Sequence, residues 1–186
     1  MANCGKHFPG HGDTALDSHY ALPLVSFSKE RIDKVELYPY KRMFDEGLVS
    51  VMVGHLDVPS LELRQNYPSS LSYNVVTNLL QRDMEFEGLI FTDAMNMKGV
   101  SGFKGTDDVN LDAFLAGNDI LLFVENIPLA VEKIRNAYKN NIVSEERLAL
   151  SVKKILHYKF KAGLNAYKPI EVSNLYNDIN PSENEA

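Results

Sequence analysis

The sequence contains a single cysteine, Cys4. No internal disulfide can form, and nothing here asks for an oxidising compartment. No apolar run approaches the roughly 18 residues of a membrane span. The opening MANCGKHFPG lacks the basic start and apolar middle of a signal peptide. Basic charge is short too: 19 Lys and Arg stand against 25 Asp and Glu, for a net charge of -6. That balance argues against nucleic acid or an anionic membrane as the main partner and leaves a neutral sugar open. No internal repeat is visible. What remains is ordinary globular composition, 186 residues with 45% hydrophobic and 24% charged, enough for one domain with a core.

Short apolar runs alternate with helical stretches. LVSVMVG (48–54), GLIFTDA (88–94) and DILLFVE (119–125) read as strands buried on both faces, as in a parallel sheet. ANCGKHF at the start is a fourth, shorter candidate. Helices are expected over 35–46 with Pro39 in the first turn, and over 72–86 with Val75, Val76, Leu79 and Leu80 on one stripe. Further helices are expected over 107–116, over 126–138 behind an Asn126 cap, and after a Ser144 cap with Leu148, Val152, Ile155 and Lys159 as its spacing. Strand, helix, strand with short links means right-handed βαβ units. Three or four such strands make either a small open sheet or part of a larger barrel. The segment 1–166 is read as the folded part, and the polar stretch 167–186 as a linker or tail.

In alternating barrels, reactive side chains sit where strands end. Lys6 and His7 follow the first candidate strand, His55 and Asp57 the second, and Asp93 the third. Asp93 reads either as a cap for the next helix or as a nucleophile or general base. His7, His11, Asp17 and His19 lie around Pro9, Gly10 and Gly12, in a loop that cannot be regular helix or strand. If D-S-H is extended, Asp17 and His19 point to one side. An Asp on one ring nitrogen fixes the tautomer and raises the basicity of the other, which is the logic of an acid/base dyad. The plain alternative is a polar surface loop. A zinc site built from His7, His11, Asp17 and His19 is a rival by composition, but H-x3-H needs a helix that Pro9-Gly10 forbids. Gly5, Gly10 and Gly12 would let the loop move. His55 and Asp57 either shape the pocket or serve structure. Met95, Met97 and His157 read as packing or surface, and Cys4 as a small buried residue.

KHFPGHG followed four residues later by DSH, then VSVMVGHLDVPSLE, YPSSLS and GLIFTDAMNMKGV, resembles the family 3 glycoside hydrolases in their β-N-acetylhexosaminidase branch. The resemblance runs from Lys6 to about Leu164. It implies a TIM-type (β/α)8 barrel of which this chain carries roughly the last three to four units. It implies Asp93 as the nucleophile of a covalent glycosyl-enzyme, His19 as the general acid/base and Asp17 as its dyad partner. Lys6 and His7 would bind N-acetylglucosamine hydroxyls, with no metal and no cofactor. The implied activity is release of terminal N-acetylglucosamine from β-glycosides, with peptidoglycan fragments as source. The family barrel has several units ahead of the KHFPGHG loop, so the first half is expected to be absent. The open faces would then need a missing half-barrel or self-association. Two other readings stand: a β-glucosidase of the wider family, against which the Asp17–His19 pair argues, and a non-catalytic half-barrel. Cytoplasm or cell envelope of a bacterium is left open.

Overall fold

The computed structural model describes residues 3–103, 105, 108–169 and 171–180. Four parallel strands, β1 (Cys4–Phe8), β2 (Ser50–Val53), β3 (Leu89–Ala94) and β4 (Ile120–Leu122), lie side by side in chain order. Helices connect them: α1 (Lys29–Lys34) and α2 (Tyr38–Asp45), a π-helix (Asn74–Asp83), then α3 (Lys98–Ser101) and α4 (Val109–Ala116). After β4 come α5 (Ile127–Lys139), α6 (Glu145–Lys161) and the short α7 (Leu175–Ile179). This is the mixed, parallel architecture the alternating runs predict.

The main core lies between the sheet and its helices. Val51, Val53 and Ile90 are fully enclosed with Phe8, Leu37, Val75, Val76 and Leu80. The other face is different. Lys6, Met52 and Phe91 stand in register across β1, β2 and β3 and keep part of their surface in solvent. The apolar runs predict burial on both sides; on the helix-covered face Val51, Val53, Ile90 and Thr92 are buried, whereas β4 is part-buried throughout.

Local chemistry sets the boundaries. Asn126 accepts a hydrogen bond from the Leu129 amide and Ser144 one from the Arg147 amide, so both expected caps form. Asp107 lies outside the described residues; Asp108 caps α4 through the Asn110 and Leu111 amides. Phe123, at a φ of 49°, ends β4 well before the expected end of its apolar run. The 74–83 segment keeps the predicted stripe, with Val75, Val76, Leu79 and Leu80 buried, but winds as a π-helix. Its Thr77 and Gln81 side chains donate to the Ala116 and Gly117 carbonyls, satisfying the end of α4. Gly117 itself has a φ of 121°, and a Cβ there would sit 2.5 Å from Thr77 Oγ1.

Two expectations need correction. Cys4 is exposed at the edge strand, because the sheet face it occupies is open. On α6 the enclosed residue is Ser151, flanked by the partly buried Leu148 and Ile155, whereas Val152 and Lys159 face solvent. The packed row is shifted by one residue because Ser151 reaches a buried carboxylate, Asp119.

The loop between β2 and the π-helix is held by Glu62. Its carboxylate accepts two bonds from the Arg64 guanidinium, at 2.9 and 2.8 Å, and one from Ser72 Oγ at 2.6 Å. The Arg64 bonds pull the Glu62 carboxyl down to about 2. A folded-state value below the unfolded one adds stability that is complete above the unfolded pKa and lost as pH falls towards 2. Urea unfolding of wild type and Glu62→Gln at pH 6 and pH 3 should therefore show the gap between them narrowing at low pH. A gap that does not change with pH would contradict this account.

Candidate active site

The strand C-termini open on a cavity of about 560 Å³, lined by Lys6, His7, His11 and Asp93 and by the whole of 14–19, which includes Asp17 and His19. All five site residues read from the sequence are in this group. A larger cavity of about 880 Å³ lies at the opposite end of the strands, around Ser50, Leu89 and Tyr158. It holds none of the catalytic candidates, and the convergence of reactive groups decides for the smaller one.

Each side chain has a structural reason for its place. Asp93 belongs to β3, and its Oδ1 accepts the Ala94 amide at 2.8 Å. The free oxygen, Oδ2, lies 3.6 Å from His7 Nε2. His7 reaches it through an irregularity in β1: Lys6 pairs with Met52 and Phe8 with Val53, so His7 is the extra residue. Burial pushes the His7 imidazole below its ordinary value, opposed by the Asp93 charge. A neutral ring there offers one donor and one acceptor to a sugar hydroxyl.

Beyond Phe8 the chain makes the loop that carries the other groups. Gly10 has a φ of 147°, and any Cβ would collide with Glu36 at 2.6 Å. Gly5 is held in β1 against Leu48 and Tyr40, so close packing rather than mobility explains it; Gly12 has open space around it. His11 ties the loop together. Thr14 Oγ1 donates to the His11 carbonyl at 3.0 Å, so it accepts from His11 Nδ1 at 2.6 Å. His11 Nε2 then accepts from Ser18 Oγ at 3.0 Å.

Asp17 and His19 meet through a turn, not by strand alternation as the sequence suggested. The amides of Tyr20 and Ala21 donate to the Asp17 carbonyl, and the His19 amide donates to Asp17 Oδ1 at 2.9 Å. His19 Nδ1 donates to the same oxygen at 2.7 Å. These bonds, the backbone one first, hold the Asp17 carboxyl below the usual carboxylate range. His19 Nε2 makes no hydrogen bond among the described residues. The dyad stands on the rim, with the His19 side chain 70% exposed, whereas the Asp93 side chain is only 14% exposed.

Other candidates separate from the site. His55 is fully buried, with Nδ1 accepting from Ser70 Oγ at 2.7 Å and Nε2 donating to the Ala94 carbonyl at 3.1 Å. It supports the strand end next to Asp93 without entering the cavity. Asp57 is buried where its backbone bridges Val25 and its carboxylate accepts the Asn66 amide. Met95 and Met97 are buried packing, and His157 is exposed. Among the described residues, no three His, Cys, Asp or Glu side chains converge as a metal site would require. One element of the site was not legible in the sequence: Arg31 of α1 bonds Asp13 of the loop at 2.6 Å and Glu36 at 3.2 Å.

Residues 1–158 match the model of the glycosyl hydrolase family 3 N terminal domain. The chain belongs to this family. Among curated proteins, a beta-hexosaminidase of Neisseria gonorrhoeae is 36% identical over 138 residues, 74% of this chain and 37% of that protein. Beta-hexosaminidase A of Pseudoalteromonas piscicida is 29% identical over 175 residues, 84% of this chain and 29% of its own length. The structure of a family 3 beta-N-acetylglucosaminidase from Paenibacillus sp. superposes with a TM-score of 0.86 at 35% identity, over 93% of this chain and 33% of that one. This family 3 chain therefore spans about a third of the relatives it matches, and its four parallel units belong to a (β/α)8-type barrel.

Proposed function

We propose that this chain carries the bond-breaking residues of a retaining β-N-acetylglucosaminidase that releases terminal N-acetylglucosamine from β-glycosides. The observation that carries the reading is one cavity holding both the strand-end Asp93 and the Asp17–His19 dyad. Likeness to proteins described as beta-hexosaminidases supports the substrate class.

Protonated His19 gives its Nε2 proton to the glycosidic oxygen while Asp93 Oδ2 attacks the anomeric carbon from the opposite face. The C–O bond breaks, the aglycone leaves as an alcohol, and a glycosyl ester forms on Asp93. Neutral His19 then removes a proton from water, which attacks the same carbon and frees Asp93. Two inversions retain the β configuration. Asp17, anionic through its bonds to His19, stabilises the imidazolium. Lys6 and His7 hold the sugar hydroxyls by hydrogen bonds. The recess of Asp93 against the exposure of His19 supports a loop that brings the acid in over bound substrate. Peptidoglycan fragments, which end in this sugar, fit as the natural source. Residues 1–166 are the barrel segment and 167–186 a tail, supported by the exposure of the described residues beyond α6. The open inner face favours one further condition, that turnover needs the face covered.

The test is hydrolysis of aryl β-N-acetylglucosaminides by the full chain, with aryl β-glucosides beside them. Preference for the N-acetyl sugar supports the reading, and preference for glucose would convert it to a β-glucosidase. His19→Ala should lower kcat/KM by about 10²- to 10⁴-fold for a 4-methylumbelliferyl leaving group. The loss should be far smaller for 2,4-dinitrophenyl, which departs without a proton. Equal losses for both would remove His19 from the acid role.

A further inference from the structure

The loop after β1 has a fixed base. Gly10 lies against Glu36, so close that a Cβ would stand 2.6 Å from its side chain. Asp13 accepts from the Arg31 guanidinium at 2.6 Å, and the same guanidinium bonds the nearly buried Glu36 at 3.2 Å and lies over the Phe27 ring. Residues 10–13 are thus seated on α1 and on the segment ahead of α2. The turn that carries the dyad is held less firmly from outside. The Lys98 and Gly99 amides of α3 donate to the His19 and Ser18 carbonyls at 3.3 and 3.4 Å. Both bonds are longer than the usual length of about 2.9–3.0 Å.

His11 stands between base and turn. Its Nδ1 donates to Thr14 Oγ1 at 2.6 Å, and its Nε2 accepts from Ser18 Oγ at 3.0 Å. The tautomer follows from the Thr14 hydroxyl, whose own proton goes to the His11 carbonyl. Ser18 is the residue between Asp17 and His19, and it is buried although both neighbours are exposed. Without the ring, its enclosed hydroxyl would lose this acceptor. A neutral imidazole suits the place because it is rigid and offers one donor and one acceptor on different edges. Both are engaged inside the loop. His11 lines the reaction cavity yet keeps neither its ring proton nor its lone pair for a sugar hydroxyl. Its ring also meets that of His7 edge to face, with centroids 5.8 Å apart, which registers the turn against the end of β1.

We propose that His11 is the positioning residue of the acid step. It couples the fixed base of the loop, through Ser18, to the turn carrying Asp17 and His19. The acid step rests on the function proposed above; the holding of the turn does not. A displacement of about 1 Å at a reacting group can cost on the order of 10²-fold in rate, so one loop hydrogen bond can matter to turnover without mattering to the fold.

Amide hydrogen exchange on the full chain tests the holding without any turnover. The His19, Tyr20 and Ala21 amides are bonded to Asp17. They should exchange about tenfold faster in His11→Leu and in Ser18→Ala, with the strand amides unchanged. Unchanged exchange at these three positions in His11→Leu would overturn the proposal. Kinetics then test the acid step. His11→Leu should lower kcat and kcat/KM together by about 10- to 100-fold for 4-methylumbelliferyl β-N-acetylglucosaminide, and far less for the 2,4-dinitrophenyl glycoside. His11→Gln keeps an acceptor near the place of Nε2 and should recover most of the loss. His11→Leu/Ser18→Ala should fall no further than either change alone, since both remove one bond. Equal losses on the two glycosides, or additive losses in the double variant, would count against positioning through Ser18. A chain that hydrolyses neither glycoside would refute the proposed activity, and the exchange rates would still decide whether His11 holds the turn.

Discussion

Replacing Asp93 by alanine should cut hydrolysis of an aryl β-N-acetylglucosaminide on the order of 10⁴-fold or more, and added azide should recover part of it as an α-glycosyl azide. Asp93 sits at the end of β3 with Oδ1 on a backbone amide and Oδ2 facing the cavity. The alanine variant loses one hydrogen bond, so the fold should survive and the loss should be chemical. A small anion in the vacated space attacks the anomeric carbon from the face Asp93 used. One inversion gives the α product, and nothing then hydrolyses it. The measurement is the rate of aryl release with and without azide, with the product anomer assigned by proton coupling. A β-azide, or a variant as active as wild type, would place the nucleophile elsewhere.

The candidate residues that share the cavity were legible because their pattern is local. Asp93 closes an apolar run, and Lys6, His7, Asp17 and His19 fall within 14 residues punctuated by proline and glycine. The strands and the caps at Asn126 and Ser144 were legible for the same reason, since periodicity and capping act over a few residues. What escaped depends on distance in sequence. Arg31 reaches Asp13 across 18 positions, and α1, at six residues, is too short for an apolar period to show. The turn that joins Asp17 to His19 is made by backbone bonds to Tyr20 and Ala21, which leave no pattern in residue type. Cys4 was misjudged because its reading assumed a sheet covered on both faces, and burial depends on what lies opposite, not on the residue alone. The packed row of α6 escaped because Ser151 is drawn inward by Asp119, 32 positions away.

The second large effect concerns the joint between α6 and the sheet, and Asp119→Ala should destabilise the chain by about 3–5 kcal/mol. The Asp119 side chain is 1% exposed. Its Oδ1 accepts Ser151 Oγ at 2.5 Å, and its Oδ2 accepts the Ile90 amide at 3.0 Å and Lys154 Nζ at 3.3 Å. Arg147 Nη1 stands 4.0 Å away. Alanine leaves both cations without their carboxylate in a region almost closed to water, and an uncompensated buried charge costs more than the pair was worth. Lys154 keeps the Gly88 carbonyl, and Arg147 keeps those of Phe114 and Asn118, so the helix is loosened rather than released. Ser151→Ala removes only one hydrogen-bond partner and should cost about 1–2 kcal/mol. For a chain of this size the Asp119 variant should melt roughly 10 °C lower. Urea titration of both variants checks the order, and an Asp119→Ala effect no larger than that of Ser151→Ala would show that α6 is held by packing instead.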